Sequence, residues 1–470
     1  MQEVILLVLS ESINLRYILS KHQSNYGNRL RSLLAIHGYR DTWPSMAFAF
    51  GLAPAKFSNN PRKVSFVYMS NTVRTLGSSL EGRGIQMAKR QPTLPIDFPI
   101  LYIAIAVLAF GLIMVLSAGA VRGFNATQNS YYYFSQQLKW TLVGSVFAII
   151  AMKIPHTFLR RFAGIGVLVS MVLLIAILFT DAGKAVNGSA RWITIAGVTI
   201  QPSEIAKLAM VLFYAHILDR YPIKRGNDWR IPLGILIPST FLVLGLVYKQ
   251  PDLGTTMVIA LTCAVMLLQT ELPTFWFAAA VPTLGLPLIY FIHATEYQWK
   301  RVLVWLDPWK YAMDLGYQIT NAEIAFGSGG LFGVGLGRSL QKYGFLPENH
   351  TDTIFAIVGE ELGLMGTTLL LVLFVTLYAR AYHVMKECPD RFGRLLGYGL
   401  TSSLAIQTTI NLAVVTGVLP LTGITLPLIS YGGASLVITL VKIGLILNLS
   451  RYRKTATKER FEKKLSDISV

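Results

Sequence analysis

Charged residues are scarce in this sequence. They make up 14% of its 470 residues, whereas a soluble globular chain carries about 25%. Hydrophobic residues account for 53% of the chain, and its mean hydropathy is +0.51. A composition so poor in charge and so rich in apolar side chains excludes an ordinary soluble enzyme, an intrinsically disordered protein and a nucleic-acid-binding protein.

Cysteine is equally rare. The two cysteines, Cys263 and Cys388, lie in or beside apolar runs, which excludes a disulfide framework and a zinc cluster. The sequence also has no Walker A loop, no His-Glu-x-x-His and no Gly-x-Ser-x-Gly. The glycines of 333–337 are not a dinucleotide fingerprint, because no strand–helix unit surrounds them. We therefore expect no ATP hydrolysis by this chain.

What the sequence does contain is a series of long apolar runs. A hydrocarbon core about 30 Å thick requires roughly 20 helical residues to cross it. About ten runs have a suitable length: 98–118, 138–152, 162–180, 203–218, 231–248, 255–270, 273–293, 366–384, 395–419 and 436–449. The sequence thus predicts an all-α, polytopic integral membrane protein with about ten transmembrane helices.

The basic residues are distributed unevenly between the connections. Of the 42 Lys and Arg residues, 30 lie in residues 1–96, in the connections 153–161, 220–230 and 380–394, and in the tail 451–470. The alternate connections hold nine. This asymmetry places both termini in the cytoplasm and requires an even number of spans. The net charge of +18 then reflects orientation and attraction to anionic membrane lipids, with no nucleic acid needed.

Three regions follow from these patterns. Residues 97–452 are predicted to form the membrane domain, and 453–470 a basic cytoplasmic tail. Residues 1–96 contain no spanning run and form a basic cytoplasmic extension, of which 1–86 is either disordered or a start-site artefact. A large extracytoplasmic loop, 294–353, separates spans 7 and 8. Its many aromatics suit a membrane interface, and it either lies on the surface or roofs a site.

Two ionisable residues stand near the start of the predicted span 203–218. Glu204 and Lys207 are three residues apart in the chain, so they share a helix face and can pair. One interpretation is a structural ion pair that fixes helix packing. The other is a polar cavity at the outer end of the span, in which Lys207 faces an anionic group.

The end of the outer loop carries a second polar group. Asp352 directly precedes an apolar helix, so it is either an N-cap or a partly desolvated carboxylate that acts as a base. His350 is a proton relay, a hydrogen-bond donor or an interface residue. Glu360 and Glu361 either line the same cavity or end a short re-entrant helix, a break that Gly363 and Gly366 would permit.

A third cluster interrupts the last apolar region. Pro427 is followed by Gly432–Gly433 within an otherwise apolar run. Broken helices at membrane depth are tolerated where they face protein or a water-filled cavity. Ser430 and the freed backbone groups could bind a polar ligand; alternatively, the break is a packing kink in which the glycines permit close helix contact.

Seven motifs occur in an order that resembles the SEDS family (shape, elongation, division and sporulation), which includes FtsW, RodA and SpoVE. The resemblance extends over residues 97–452 and is greatest to the FtsW branch. The matching segments are Gln201-Pro-Ser-Glu-Ile-Ala-Lys, Gln250-Pro-Asp-Leu-Gly-Thr, Gly316-Tyr-Gln, 327–337, Leu346-Pro-Glu-Asn-His-Thr-Asp, Gly359-Glu-Glu-Leu-Gly and Pro427-Leu-Ile-Ser-Tyr-Gly-Gly.

The resemblance implies a function and several partners. It implies a ten-helix peptidoglycan glycosyltransferase that polymerises lipid II (undecaprenyl-pyrophosphate disaccharide-peptide) at the outer face of the bacterial cytoplasmic membrane. The FtsW branch further implies septal cell-wall synthesis in cell division. The implied partners are a class B penicillin-binding transpeptidase and other divisome proteins. The alternatives are a RodA-type elongation polymerase, a lipid II flippase and a scaffold that only recruits the transpeptidase.

The resemblance also assigns roles to particular residues. The essential Asp of the family falls on Asp352, and the family's Glu/Lys pair falls on Glu204 and Lys207. Asp352 is then the expected general base for the acceptor hydroxyl. The diphosphate requires cations, for which Lys207, Arg191 and Lys342 are candidates, with His350 and Ser430 as further substrate-binding residues. We expect no resident cofactor, but leave open a divalent cation, Mg²⁺ or Mn²⁺.

Overall fold

A computed structural model describes residues 95–179, 183–186, 189–195, 198–223, 229–273, 275, 293 and 296–453. Three predictions fall wholly or almost wholly outside these residues. They concern the extension 1–96, the tail 453–470 and the span 273–293.

Helices dominate the described chain. They are α1 (Phe98–Thr127), α2 (Tyr132–Lys153), α3 (His156–Phe179), α4 (Pro202–Arg220), α5 (Arg230–Tyr248), α6 (Leu253–Leu268), α7 (Glu296–Leu306), α8 (Tyr317–Gly329), α9 (Ile354–Lys386), α10 (Arg391–Val415) and α11 (Gly433–Ser450). Two short 3₁₀ turns, Trp309–Tyr311 and Gln341–Tyr343, lie in the outer loop.

The predicted spans coincide with helices throughout the described residues. Nine of the ten predicted spans overlap α1 to α6 and α9 to α11, and the tenth lies outside the description. Five helices are long and apolar enough to cross a membrane individually: α1, the segment Phe158–Phe179 of α3, α5, α9 and α11. The chain is therefore a multi-pass membrane protein, and the prediction of a helical, polytopic fold is confirmed.

A three-stranded antiparallel sheet in the connection before α4 was not predicted. Its strands are β1 (Gly183–Val186), β2 (Ser189–Ile195) and β3 (Val198–Ile200), in the order β1-β2-β3. The sequence contained a signal for it, because Asn-Gly at 187–188 is the dipeptide most typical of tight hairpins. β2 is also rich in β-branched and aromatic residues. The sheet places Arg191 beside the start of α4.

Aspartates fix the starts of three helices. Asp97 accepts a hydrogen bond from the backbone N–H of Ile100 at 3.3 Å, and Asp252 accepts one from that of Thr255 at 3.1 Å. Asp390 caps α10 in the same way. Each such cap satisfies a backbone donor that the helix leaves free and contributes about 1 kcal/mol.

The centre of the helical bundle is formed by α4, α10 and α11. These helices bury most of their residues, and α4 packs against α3 and α10 while α11 packs against α2. By contrast, α1, α2, α3 and α5 each expose a face of large apolar side chains. That distribution fits a bundle whose periphery meets lipid and whose interior holds the polar groups.

Both ends of the described membrane domain lie on one side of it. Asp97, which is buried, accepts hydrogen bonds from Arg380 at 2.8 Å and from Arg453. The backbone N–H of Asp97 also donates to the Ser450 hydroxyl at 3.0 Å. The start of α1 and the end of α11 therefore meet, as an even number of spans requires. The opposite end, where α2, α4 and α9 begin, is called the outer end below.

The outer loop folds back against a break in α9. Gly363 has φ 63° and ψ −163°, which interrupts the helix. The freed backbone groups are satisfied by the loop: the N–H of Leu364 donates to Gly330 O at 2.9 Å, and the N–H of Val334 donates to Glu360 O at 3.0 Å. The break is tolerated because protein backbone replaces the missing helical hydrogen bonds.

Glu360 and Glu361 hold this loop rather than line a cavity. Glu360 accepts from the backbone N–H of Leu340 at 2.9 Å and from the Ser339 hydroxyl. Glu361 accepts from Lys342 Nζ at 3.1 Å and from the Ser117 hydroxyl at 2.7 Å. Both carboxylates are buried and fully engaged. Of the two predicted alternatives, the helix break is the one that the structure contains.

Candidate active site

A cavity with a volume of 820 Å³ lies at the outer end. It is formed by the starts of α2, α4 and α11, the β-sheet, the segment 348–352 and the segment 423–432. The side chains and backbone that line it belong to Tyr132, Gln136, Trp140, Arg191, Trp192, Thr199, Gln201, Glu204, Thr255, Glu348, Thr351, Asp352, Gly423, Ile424, Thr425, Tyr431, Gly432, Gly433, Ala434 and Ser435. Its volume is in the range of pockets that bind substrates.

Asp352 is held in this cavity by its backbone, not by its side chain. Its carbonyl oxygen accepts a hydrogen bond from Asn411 Nδ2 at 2.9 Å. The N-cap of α9 is Thr353, whose hydroxyl donates back to Pro347 O and Glu348 O. Within the described part of the chain, the Asp352 carboxylate has no hydrogen-bond or ion-pair partner. The N-cap interpretation of Asp352 is therefore wrong, and its carboxylate is available to a ligand.

The surroundings of Asp352 favour the protonated form. Burial raises the pKa of Asp352 to about 7, and the negative charges of Glu348 and Asp252 act in the same direction. The guanidinium groups of Arg191 and Arg301 oppose this rise. A carboxylate whose pKa lies close to the working pH is a more effective proton acceptor than an ordinary surface aspartate.

Glu204 and Lys207 form a buried ion pair below the cavity. Lys207 Nζ lies 2.8 Å from Glu204 Oε1 and 2.7 Å from Gln407 Oε1. Gln407 in turn donates to Thr425 O at 3.0 Å. Glu204 lines the cavity, whereas Lys207 does not. The structure therefore agrees with the interpretation of Glu204 and Lys207 as a structural ion pair. Through Gln407, this pair links α4 and α10 to the segment that faces Asp352.

Arg191 is a cation that faces the cavity directly. It lies on β2 and is partly buried. Its Nε donates to Gln250 O at 3.1 Å, and a terminal nitrogen donates to Pro251 O. These two carbonyls hold the guanidinium at the cavity wall without neutralising its charge, so it can attract a phosphate group.

Ser430 and His350 do not line the cavity. They stabilise the segments that form its wall. The Ser430 hydroxyl donates to Thr351 O at 2.6 Å and accepts from the N–H of Leu426 at 2.8 Å. The His350 ring packs on Tyr133, with the ring centroids 4.3 Å apart. Burial lowers the pKa of His350 to about 4, so the ring is neutral at neutral pH.

Lys342 does not line the cavity that contains Asp352. Its ammonium group is 3.1 Å from Glu361 Oε1 and also donates to the Ser117 hydroxyl and Gly337 O. It contributes to a second, smaller cavity. The structure therefore brings together Asp352, Arg191 and Glu204, with Lys207 behind them. Their roles, and those of Lys342, His350 and Ser430 as substrate contacts, stay predictions.

Residue-by-residue reasoning from the sequence missed Glu348. Its carboxylate lines both cavities, accepts from Thr351 Oγ1 at 2.9 Å and pairs with Arg122 at 3.3 Å. The residue lies in the same quoted motif as Asp352, four positions before it. Among the described residues no group of three or more His, Cys, Asp or Glu side chains could hold a metal ion.

The outer loop forms part of this site. Arg301 of α7 donates to Leu421 O at 2.9 Å, and Trp305 donates to Gly417 O at 2.8 Å. Both acceptors belong to the connection between α10 and α11, which also supplies Gly423 to the cavity wall. The last residues of the loop, Glu348, Thr351 and Asp352, line the cavity, and that the rest of the loop roofs the site stays a prediction.

Curated proteins similar to this chain share most of its length. One is the "Probable peptidoglycan glycosyltransferase FtsW" of Geobacter sulfurreducens, which is 36% identical over 77% of this chain and 96% of its own. Another is "Stage V sporulation protein E" of Bacillus subtilis, 38% identical over 76% of this chain and 98% of its own.

Two solved structures are similar in fold as well as sequence. One is described as "Structural coordination of polymerization and crosslinking by a peptidoglycan synthase complex"; it has a TM-score of 0.63 and 29% identity, covering 77% of this chain and 99% of the other. The second is the rod shape determining protein RodA of Thermus thermophilus, with a TM-score of 0.56 and 27% identity, covering 77% of this chain and 98% of the other.

A family comparison covers the same region. The model of the family FtsW, RodA and SpoVE, described as "Cell cycle protein", matches residues 98–455. This match spans well over half of the sequence and includes all the residues that line the large cavity. The chain therefore belongs to the FtsW/RodA/SpoVE family of cell cycle proteins.

Proposed function

We propose that this protein is a peptidoglycan glycosyltransferase that polymerises lipid II, and that it does so for septal wall synthesis. The observation that carries the proposal is the Asp352 carboxylate, which has no partner among the described residues and faces an 820 Å³ cavity at the outer end. Membership of the family and the names of the curated relatives support the same reaction.

In this reaction a sugar hydroxyl attacks an anomeric carbon that carries a diphosphate. Asp352 accepts the proton of the attacking hydroxyl while the new carbon–oxygen bond forms. The bond between the anomeric carbon and the diphosphate oxygen breaks, and the diphosphate leaves with the electron pair. Because the leaving group is already good, the protein mainly orients the two substrates and removes one proton. A single displacement of this kind inverts the anomeric centre.

The cation for the departing diphosphate is Arg191 in this proposal. It faces the cavity, and its charge is not neutralised by its two carbonyl partners. Lys207 is already paired with Glu204, and Lys342 with Glu361, so both are weaker candidates. A charged guanidinium at the developing negative charge stabilises the transition state.

A divalent cation stays a further proposal. Glu348 is a carboxylate of the cavity wall, and Mg²⁺ or Mn²⁺ binds through one or two carboxylates plus phosphate oxygens and water. The ion would screen the diphosphate. Its presence would be tested by calorimetric titration of the purified protein with Mn²⁺, comparing wild type with Glu348→Gln.

The orientation and assembly of the protein belong to the same proposal. The charge distribution supports cytoplasmic termini, and the contact of Asp97 with Arg453 supports an even number of spans. The catalytic cavity then opens on the extracytoplasmic side of the cytoplasmic membrane. The similar peptidoglycan synthase complex combines polymerization with crosslinking, which supports a class B penicillin-binding transpeptidase as partner at the septum, together with other divisome proteins.

Substitution of the base tests the proposal. Purified Asp352→Asn protein is expected to lose polymerisation of lipid II by about 10²- to 10⁴-fold, the usual contribution of a general base. Asp314→Asn is the matched control, because Asp314 is an exposed carboxylate of the same outer loop. Polymer is measured by gel after labelling of the strands. Near-normal polymerisation by Asp352→Asn would contradict the assignment, and transport of lipid II across vesicles without polymer would indicate a flippase.

A further inference from the structure

A second cavity lies beside the first and is not used by the mechanism above. It has a volume of 330 Å³ and is bounded by the outer end of α1 and the segment 342–349. Glu348 lines both cavities. The residues around the second cavity are Val121, Arg122, Asn125, Lys342, Gly344, Leu346, Pro347, Glu348 and Asn349.

The second cavity lies at the outer end of a helix that is longer than the hydrocarbon core is thick. α1 has 30 residues, so it is about 45 Å long, whereas the core is about 30 Å thick. Residues 121–125 are in its last two turns and follow the apolar run 98–118, so we infer that these turns project from the membrane. A ligand of this cavity is in water and not among acyl chains.

The lining combines hydrogen-bond donors and acceptors without excess charge. Arg122 pairs with Glu348 at 3.3 Å, and both side chains are nearly half exposed. The Lys342 ammonium is turned away to Glu361. Asn125 is exposed and lines the cavity. Because the charges of these residues balance, the cavity does not select a phosphate. Its donors and acceptors match the hydroxyl and acetamido groups of a sugar.

The backbone holds Glu348 at the boundary between the cavities. Its φ of 51° is in the left-handed region, which is uncommon for glutamate. The conformation is maintained because its carbonyl accepts from the backbone N–H groups of Thr351 and Thr353, at 3.1 and 3.3 Å. Such local strain persists only where surrounding contacts enforce it. The carboxylate is thereby fixed four residues from Asp352 and within reach of both cavities.

We propose that the second cavity is a saccharide subsite that holds a sugar of the growing glycan strand, with Arg122 and Asn125 as donors and Glu348 as acceptor. The inference rests on the proposed polymerase function. The reacting sugar and its diphosphate occupy the cavity of Asp352 and Arg191, so sugars farther along the strand extend outwards, where the second cavity lies. A strand held there between additions is less able to dissociate, and the subsite therefore controls strand length.

Strand length is the measurement that tests this subsite. Arg122→Gln removes a charge-assisted donor, and we expect the mean strand length to fall roughly three- to tenfold, the range for one lost hydrogen bond. The control is Arg160→Gln, since Arg160 is a similarly exposed arginine in a 2.8 Å ion pair with Asp219 at the opposite end of the bundle. Arg160→Gln is expected to leave strand length unchanged. Equal lengths for wild type and Arg122→Gln would overturn the inference while leaving the polymerase function intact.

A direct binding measurement tests the subsite independently of the polymerisation reaction. The probe is chitotetraose, a neutral soluble oligosaccharide, added to the full-length protein in detergent and followed by saturation-transfer NMR. Binding is expected to wild type and to Asp352→Asn, and to weaken several-fold in Asn125→Ala and Arg122→Gln. Equal binding by wild type and both cavity variants would refute the subsite. If wild-type protein made no polymer but bound the sugar at this cavity, the polymerase function would fail, and the cavity would be a saccharide site but not one for a growing strand.

Discussion

The rate of polymerisation is expected to depend on pH through Asp352. Burial and neighbouring negative charge raise the pKa of this carboxyl from 3.8 to about 7. If its ionised form is the base, kcat/KM rises with pH and levels off above this value, falling about tenfold for each pH unit below it. The free enzyme therefore carries an ascending limb near neutrality, instead of the limb near pH 4 expected for an ordinary aspartate.

Glu348 provides the internal control for this pH profile. Its negative charge contributes to the raised pKa of Asp352, so Glu348→Gln is expected to move the ascending limb to lower pH. If the ascending limb came from a titrating group of the substrate instead, it would lie at the same pH in both proteins. Initial rates at limiting lipid II, measured between pH 5 and 9, are the appropriate data. A flat profile, or a limb that Glu348→Gln does not move, would refute the reasoning.

The raised pKa of Asp352 also predicts how the stability of the protein depends on pH. The unfolded chain releases the proton of Asp352 near 3.8, whereas the folded protein releases it near 7. Between these values the folded state binds more protons, so this group's contribution to stability falls as pH rises through the interval. Asp352→Asn is therefore expected to raise the melting temperature in detergent at pH 8 but not at pH 4. An equal effect at both pH values would contradict the raised pKa.

Three further predictions concern the framework of the site. Lys207→Met leaves the Glu204 carboxylate buried and unpaired. This change is expected to destabilise the protein by about 3–5 kcal/mol. The double variant Lys207→Met, Glu204→Gln should recover most of the lost stability in thermal melts. Gly363→Ala should lower the melting temperature, because Gly363 has φ 63° and an added Cβ would lie 2.4 Å from the backbone nitrogen of Gly333; an unchanged melting temperature would argue against the break in α9. Asp97→Asn weakens the contact with its two arginine partners and should loosen the join of α1 and α11, measured as faster hydrogen exchange at the start of α1; unchanged exchange would contradict this role.

Much of the fold was predictable because a bilayer imposes simple rules. Every predicted span within the described residues is a helix, since only a helix satisfies its backbone hydrogen bonds in hydrocarbon without a partner strand. The contact of Asp97 with Arg453 agrees with the even number of spans inferred from the basic residues. The sheet of β1, β2 and β3 was not predicted, because its strands have three to seven residues and none is an apolar run of spanning length.

The candidate site was predictable only in part. Asp352, Glu204 and Arg191 were selected from sequence, and the structure places them around one cavity. Lys342 was selected as well, but its ammonium is directed to Glu361. The sequence shows which side chains are positively charged. Which carboxylate lies nearest to each of them depends on how distant segments pack.

The sequence by itself determined that this is a helical, multi-pass membrane protein and which family its ordered motifs belong to. These properties depend on composition and on local order along the chain. Only the tertiary structure decided that Thr353, and not Asp352, caps α9, and that Lys207 is neutralised by Glu204. It also placed Glu348 between two cavities. Those facts depend on contacts between residues far apart in the sequence, whose geometry no local pattern specifies.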